Sequence, residues 1–207
     1  MSDPVGEAGV RDAMRRAAAA LRDAKDDLTR LDQAAGDGDL GVTAGKVAGA
    51  LETYADEAEA GDDLGGFIAK AGMAANRAAS STMGTLIATA LMRAGMEAKG
   101  TSDLDDKTLA AMLRAAADGV RERGKVQLGD KTVVDALHPA AEAFAEALGE
   151  GREAAAKAMA RAAEEGRDRV TPQRNKIGRA GWVGERTVGA VDPGCELCVR
   201  VARAIAG

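Results

Sequence analysis

Apolar residues at Val10, Met14, Ala17, Leu21, Ala24, Leu28 and Leu31 recur at intervals of 4-3-4-3-4-3, with Arg, Asp and Lys between them. That spacing is the stripe of an amphipathic helix, predicted over residues 8–31, and it delivers Asp32 at its C-terminal end. A second helix is expected over 43–60, closed by the glycines of GDDLGG, and a short apolar segment follows at 64–75. A knot of small residues, AANRAASSTMGT, precedes another apolar run at 86–96. Thr101, Ser102 and Asp103 offer N-caps for a helix carrying Leu109, Met112, Leu113, Ala116 and Val120, which Gly124 ends. Asp130 is the expected N-cap of the next helix, whose stripe is Val134, Leu137, Ala141, Phe144 and Leu148, with His138 and Pro139 inside it as a candidate kink. Gly149, Glu150 and Gly151 separate it from an Ala-rich helix running to about residue 165. The chain is expected to end in a helix over 194–206.

Residues 166–194 have no clear period and hold six glycines, two prolines and five arginines. A loop of that length in a compact domain, flanked by helices and containing Trp182 and Val183, reads as ordered and functional. The whole pattern gives about eight helices and no strand, hence one all-α domain over 1–207.

Composition agrees: Ala, Leu, Met, Glu, Lys and Arg form a helical alphabet, and the aromatics are only Tyr54, Phe67, Phe144 and Trp182. A net charge of -5 argues against a nucleic-acid partner, whose phosphates reward clustered Lys and Arg. No apolar run is long enough for a membrane span, and the N-terminus MSDPVGEAGVRDAM has no apolar h-region, so no signal peptide is expected and a cytoplasmic location is the default. Cys195 and Cys198, one helical turn apart, are expected to be buried apolar side chains. A lone C-x-x-C has neither the βαβ context of a redox pair nor, with His138 as the single histidine, a zinc ligand set.

The chemistry concentrates in LDQAAGDGDLGV, residues 31–42. Its glycines spell G-x-G-x-x-G, but a dinucleotide loop needs a preceding strand, and here a helical stripe runs straight into it. GVTAGKV, residues 41–47, is not a P-loop: it has three residues between its glycines and Val47 where a hydroxyl is required. An EF-hand fails because its twelfth position, counted from Asp37, is Ala48. What remains is three carboxylates, Asp32, Asp37 and Asp39. Brought together they repel unless protonated or neutralised by a hard cation, Mg²⁺ before Ca²⁺ or Mn²⁺. Alternatively the turn is solvated and Asp39 caps the second helix. Spacing alone leaves both readings open.

Three ordered motifs change the balance. LDQAAGDGDLG resembles the D-x-x-x-G-D-x-D-H-G turn of the nucleotide-binding L subunit of the dihydroxyacetone kinase family. RERGKVQLGDKTVVDAL resembles its R-G-K-x-x-x-G-D-K-T-M-x-D segment, and KIGRAGWVGERTVGAVDPG its K-G-R-A-x-Y-L-G-E-R-S-x-G-x-x-D-P-G segment. The resemblance implies a closed barrel of antiparallel helices that binds ATP or ADP at one end, with two Mg²⁺ ions bridging carboxylates and phosphates. By motif position the metal ligands are Asp32, Asp37 and Asp39. Nucleotide contacts fall on Leu40, Gly41, Val42 and Thr43, and on Ser80, Ser81 and Thr82. Gly124 and Val133 lie near the base, and Arg179 with Asp192, Pro193 and Gly194 completes the pocket. Arg179 and Lys131 are the expected catalytic cations. The implied reaction passes a phosphoryl group to a small hydroxyketone held covalently by a histidine on a separate K subunit. In some relatives a phosphocarrier recharges bound ADP, and a homodimer is a further expected association.

The match has departures. Leu40 stands where the family usually has His, Thr43 where it often has Asn, and AASSTMG replaces G-G-A-S-G-P. They leave open the ketose, erythrulose included, and the phosphate donor. They also keep a second reading alive, a non-catalytic helical adaptor or nucleotide sensor of the same fold. The related fatty-acid kinase domain, with P-D-G-D-T-G-x-N, is a weaker match.

Overall fold

The computed structural model describes residues 3–207, apart from the side chain of Ala35. The helices are α1 (Glu7–Asp23), α2 (Lys25–Ala35), α3 (Leu40–Glu57), α4 (Leu64–Ala78), α5 (Thr82–Glu97), α6 (Asp106–Gly124), α7 (Val134–Ala147), α8 (Arg152–Val170), α9 (Gly178–Val183) and α10 (Pro193–Ala206). Short 3₁₀ turns occupy Leu148–Glu150 and Gly184–Thr187. Among the described residues the extended pairing is a single antiparallel bridge between Val5 and Leu104, and no helix is long and apolar enough to cross a membrane.

Eight helices close a ring. α1 packs on α3, then α3 on α4, α4 on α5, α5 on α6, α6 on α7, α7 on α8, α8 on α10, and α10 returns to α1. α2 leans on α3 and α10, and α9 touches α2. Apolar stripes fill the interior from two sides, Val10, Leu28, Val47 and Phe67 in one half and Val134, Phe144, Met159 and Val199 in the other. Met83 and Leu109 touch both halves. With few aromatics the walls approach closely. α4 and α5 meet through Gly65 and Gly95, where a Cβ on either would overlap the other's carbonyl oxygen, and Gly72 lies against Ala88. The falling α5 number along a rising α4 number fixes the pair as antiparallel.

Several boundaries differ from those expected, each for a local reason. The helix predicted over 8–31 divides at Ala24, whose ψ of -5° opens the ladder for one residue although its N–H still donates to the Ala20 carbonyl. Asp32 consequently lies in the last turn of α2. Thr101, Ser102 and Asp103 do not cap α6; the stretch before it pairs Leu104 with Val5 in both directions, at 2.8 and 3.0 Å. The cap falls to Asp105, whose carboxylate accepts from the Thr108 N–H at 2.7 Å. Asp130 does not cap α7 either. Its carboxylate accepts from Gln127 N, while Asp135 gathers the N–H groups of Gly129 and Thr132. Pro139 leaves α7 continuous. The Asp135 carbonyl, which Pro139 cannot reach as a donor, abuts Gly166 of α8, where a Cβ would overlap it. The expected loop over 166–194 is shortened from within, because α8 runs on to Val170 and α9 forms inside it.

Cys195 and Cys198 are buried free thiols on α10, as expected. Burial pushes both thiols up, Cys198 to about 12, and the Cys195 thiol donates to the Thr132 carbonyl at 3.0 Å. Since the thiolate is the reactive form, neither is expected to react with a thiol reagent until the protein unfolds; stoichiometric labelling of the native chain would contradict this. Gly95→Ala is expected to lower stability by about 1–3 kcal/mol through overpacking. Gly49→Ala on α3, with nothing within 4 Å of the added Cβ, is expected to raise it by up to about 1 kcal/mol. Denaturant titration of the two variants checks both signs.

Candidate functional site

The acidic turn is built by two helix ends. α2 finishes with the Gly36 N–H donating to the Asp32 carbonyl at 2.5 Å, Gly38 adopts the left-handed φ of 77° that glycine takes without cost, and α3 begins at Leu40. The Asp32 carboxylate crosses the turn and accepts from the Leu40 N–H at 3.1 Å. Asp39 occupies the N-cap position but makes no side-chain cap bond, so the reading in which it merely caps the helix fails. One oxygen from each of Asp32, Asp37 and Asp39 lies within 4.8 Å of the others. Opposite oxygens around Mg²⁺ stand about 4.2 Å apart and around Ca²⁺ about 4.8 Å, so this all-oxygen set fits a hard cation. The Arg179 guanidinium already faces it, ion-paired with Asp37.

The turn forms one wall of a cleft of about 1060 Å³ at one end of the barrel. Three helix N-termini converge there, those of α3, α5 and α10, each a positive dipole end that favours an anion, with Leu40 N–H, Gly84 N–H and Cys195 N–H already donated to Asp32, Ser81 and Asp192. Ser81 caps α5 by accepting from Gly84 N at 3.1 Å, and its hydroxyl shares a hydrogen bond of 2.9 Å with Thr43, which ties the starts of α3 and α5 together. Gly194 at the start of α10 is a cradle: a Cβ there would stand 3.0 Å from the Met83 methyl and 3.3 Å from Val133. Met83, Leu86, Val120, Val126 and Val133 make an apolar end beside Gly124. Lys46 and Trp182, the latter 87% exposed, stand at the rim.

The cleft therefore brings together Asp32, Asp37, Asp39, Leu40, Val42, Thr43, Ser80, Ser81, Thr82, Gly124, Lys131, Val133, Arg179, Asp192, Pro193 and Gly194. Gly41 is the exception. It faces α2, where a Cβ would overlap the Lys25 carbonyl and the Thr29 hydroxyl, so close helix packing requires glycine there. Leu40 gives the cleft its N–H side, while its side chain joins the core at 5% exposure.

Two expected roles change. Lys131 is fully buried, and its ammonium donates to the carbonyls of Thr171, Gln173 and Thr187 at 2.9, 2.8 and 2.6 Å. Its three protons are thereby used, so Lys131 has none left to donate to a phosphate. Burial lowers its pKa, partly opposed by nearby Asp192. The Asp192 carboxylate is likewise occupied, accepting from Cys195 N and Asn175 Nδ2 at 2.9 Å each as the N-cap of α10. Burial pushes it up. Asp192 thus lines the cleft through a turn it shapes and not through a free carboxylate. Asn175 and Thr187, buried partners in this network, had no signal in the sequence: single polar residues in an aperiodic loop.

Compared with known proteins, a family model described as the DAK2 domain matches residues 34–207. Asp32 lies just before the matched stretch, yet the geometry joins it to Asp37 and Asp39. The D-erythrulose kinase of Mycolicibacterium smegmatis is 36% identical over the whole of this chain, which spans 37% of that enzyme's length. The ADP-binding subunit DhaL of the PEP-dependent dihydroxyacetone kinase of Escherichia coli is 31% identical over 81% of this chain and 80% of its own length. The fold superposes on the dihydroxyacetone kinase of C. freundii with a TM-score of 0.77 at 23% identity, covering all of this chain and 35% of that one. By its matched domain, its DhaL relatives and its helical barrel, this chain belongs to the DAK2-domain family.

Proposed function

We propose that this chain is the nucleotide-binding, phosphoryl-transferring part of a dihydroxyacetone-type kinase. The observation that carries the reading is the convergence, in one cleft, of three carboxylates with three helix N-termini. Carboxylates and phosphates share a site only when cations lie between them. Asp32, Asp37 and Asp39 would hold Mg²⁺, two ions being the number proposed, which neutralises charge developing on the transferred group. The positive ends of α3, α5 and α10, with the first-turn N–H groups not already donated, face the phosphate oxygens, and the Met83, Leu86 and Val126 end takes the base. Arg179, the one guanidinium lining the cleft and ion-paired there with Asp37, contributes charge where the terminal phosphoryl group leaves. Phosphoryl transfer asks little covalent work of the protein, so positioning and electrostatics suffice.

The acceptor would come from elsewhere. The single histidine, His138, sits on α7 outside the cleft lining, so nothing at this site can hold a hydroxyketone covalently as the family's K subunit does. A K-type partner meeting the rim at Trp182 and Ile177 supplies it. The DhaL relatives are named ADP-binding, PEP-dependent subunits, which supports bound ADP recharged by a phosphocarrier. Relatives named erythrulose kinases support erythrulose as the alternative ketose.

Asp37→Ala is expected to weaken Mg-ADP at least 100-fold while leaving the helical circular dichroism unchanged, because Asp37 is exposed. Retained affinity by calorimetry would refute the assignment. Arg179→Ala is expected to weaken Mg-ADP about tenfold, the worth of one charge-assisted hydrogen bond to phosphate. With ADP present, Mn²⁺ titration followed by paramagnetic resonance is expected to fill two sites per chain; one site would halve the metal assignment.

A further inference from the structure

Lys131 is costly for a residue that only fills space. An ammonium with no exposure requires a partner for each of its protons, and its backbone adopts φ of 60°, a conformation that only glycine takes readily. An apolar side chain on the same backbone would pack the same volume without the demand for polar partners. What an ammonium can do, and a methyl group cannot, is draw several carbonyls to one point. Here they are those of Thr171, Gln173 and Thr187, from the two ends of the excursion that carries α9.

The neck of that excursion is sewn around the same residue. Asn175 donates through Nδ2 to the Lys131 carbonyl at 2.6 Å and to Asp192 at 2.9 Å. The Thr187 hydroxyl accepts from Asn175 N at 2.9 Å and donates to the Gly184 carbonyl at 2.8 Å. Gly189 N donates to the Thr171 carbonyl at 3.0 Å, and Lys176 N to the Asp130 carbonyl at 3.1 Å. Beyond this neck the excursion touches the barrel where α9 and the 184–187 turn meet α2. Gly178, Gly184 and Gly189 sit at positive φ with nothing within 4 Å of an added Cβ, and Arg179 and Trp182 are exposed. The place of Arg179 against the acidic turn is therefore set by the neck together with the contact on α2.

We propose that Lys131 is a positioning residue for Arg179: its buried ammonium clamps residues 171–187 by their carbonyls and so holds the Arg179 guanidinium over the Asp32, Asp37 and Asp39 cluster. The proposal rests on the reading of the cleft as a Mg-nucleotide site. It differs from simple core stability because the effect of losing the clamp must pass through Arg179.

Two measurements on the full chain separate these possibilities. Without ligand, hydrogen–deuterium exchange of Lys131→Met is expected to rise at least tenfold over residues 174–190 and to stay unchanged over 40–97. With Mg-ADP, Lys131→Met is expected to lose about tenfold in affinity, and the double variant with Arg179→Ala to bind no more weakly than Arg179→Ala alone. Losses that multiply to about 100-fold, or unchanged exchange over 174–190, would overturn the proposal. If Lys131→Met exchanges faster everywhere, Lys131→Gln, which leaves a neutral donor among the same carbonyls but removes the ammonium, decides by the same two criteria. Failure of the wild-type chain to bind Mg-ADP would count against the nucleotide reading instead, and the exchange measurement would then decide the clamp alone.

Discussion

Three carboxylate oxygens within 4.8 Å of one another are an arrangement that charge repulsion opposes, and the end of the barrel is organised around maintaining it. Asp32 is fixed by the Leu40 N–H, so the end of one helix caps the start of the next. Gly38 supplies the left-handed turn between Asp37 and Asp39. Gly41 lets α3 lie against α2 so that the turn stays short. Arg179 neutralises part of the charge from across the cleft. The same turn that concentrates negative charge also opens α3, whose dipole attracts an anion. A cation shared by carboxylate and phosphate reconciles the two, which is why a metal-free nucleotide site is not a chemically consistent reading of this cleft.

The remaining walls serve this geometry at different levels of rigidity. The ring of eight helices, closed by α10 on α1, fixes the starts of α3, α5 and α10 relative to one another through packed small residues. The excursion between α8 and α10 is held differently, by a buried polar network in which an ammonium, an amide, a hydroxyl and a carboxylate bind seven backbone groups and the amide also donates to the carboxylate. Buried polar networks of this kind are specific when complete and costly when broken. The barrel thus carries the acidic turn and the three helix N-termini, and a clamped loop carries the Arg179 charge.

Much of this was legible in the chain because it is written in local spacing. The stripes of α1, α6 and α7 gave their faces, and Asp32, Asp37 and Asp39 lie within eight positions, so a single turn had to gather them. What was not legible depended on partners distant in sequence. Lys131 within GDKT invites a phosphate, yet its acceptors are main-chain carbonyls some 40 to 56 residues away, and carbonyls leave no mark on side-chain pattern. Asp130 resembles a cap as much as Asp135 does, and only the path of Gly129 selected between them. Ala24, a strong helix former, gave no warning that the first helix divides there. The close approach of α2, which requires glycine at 41, was likewise invisible in a single motif.

The central claim is that cations join the acidic turn to phosphate. The most direct test is calorimetric titration of ADP into the wild-type chain, once with Mg²⁺ in excess and once in EDTA. Saturable binding with Mg²⁺ and none in EDTA is the expected result. Equal binding in both, or binding in neither, would contradict the account.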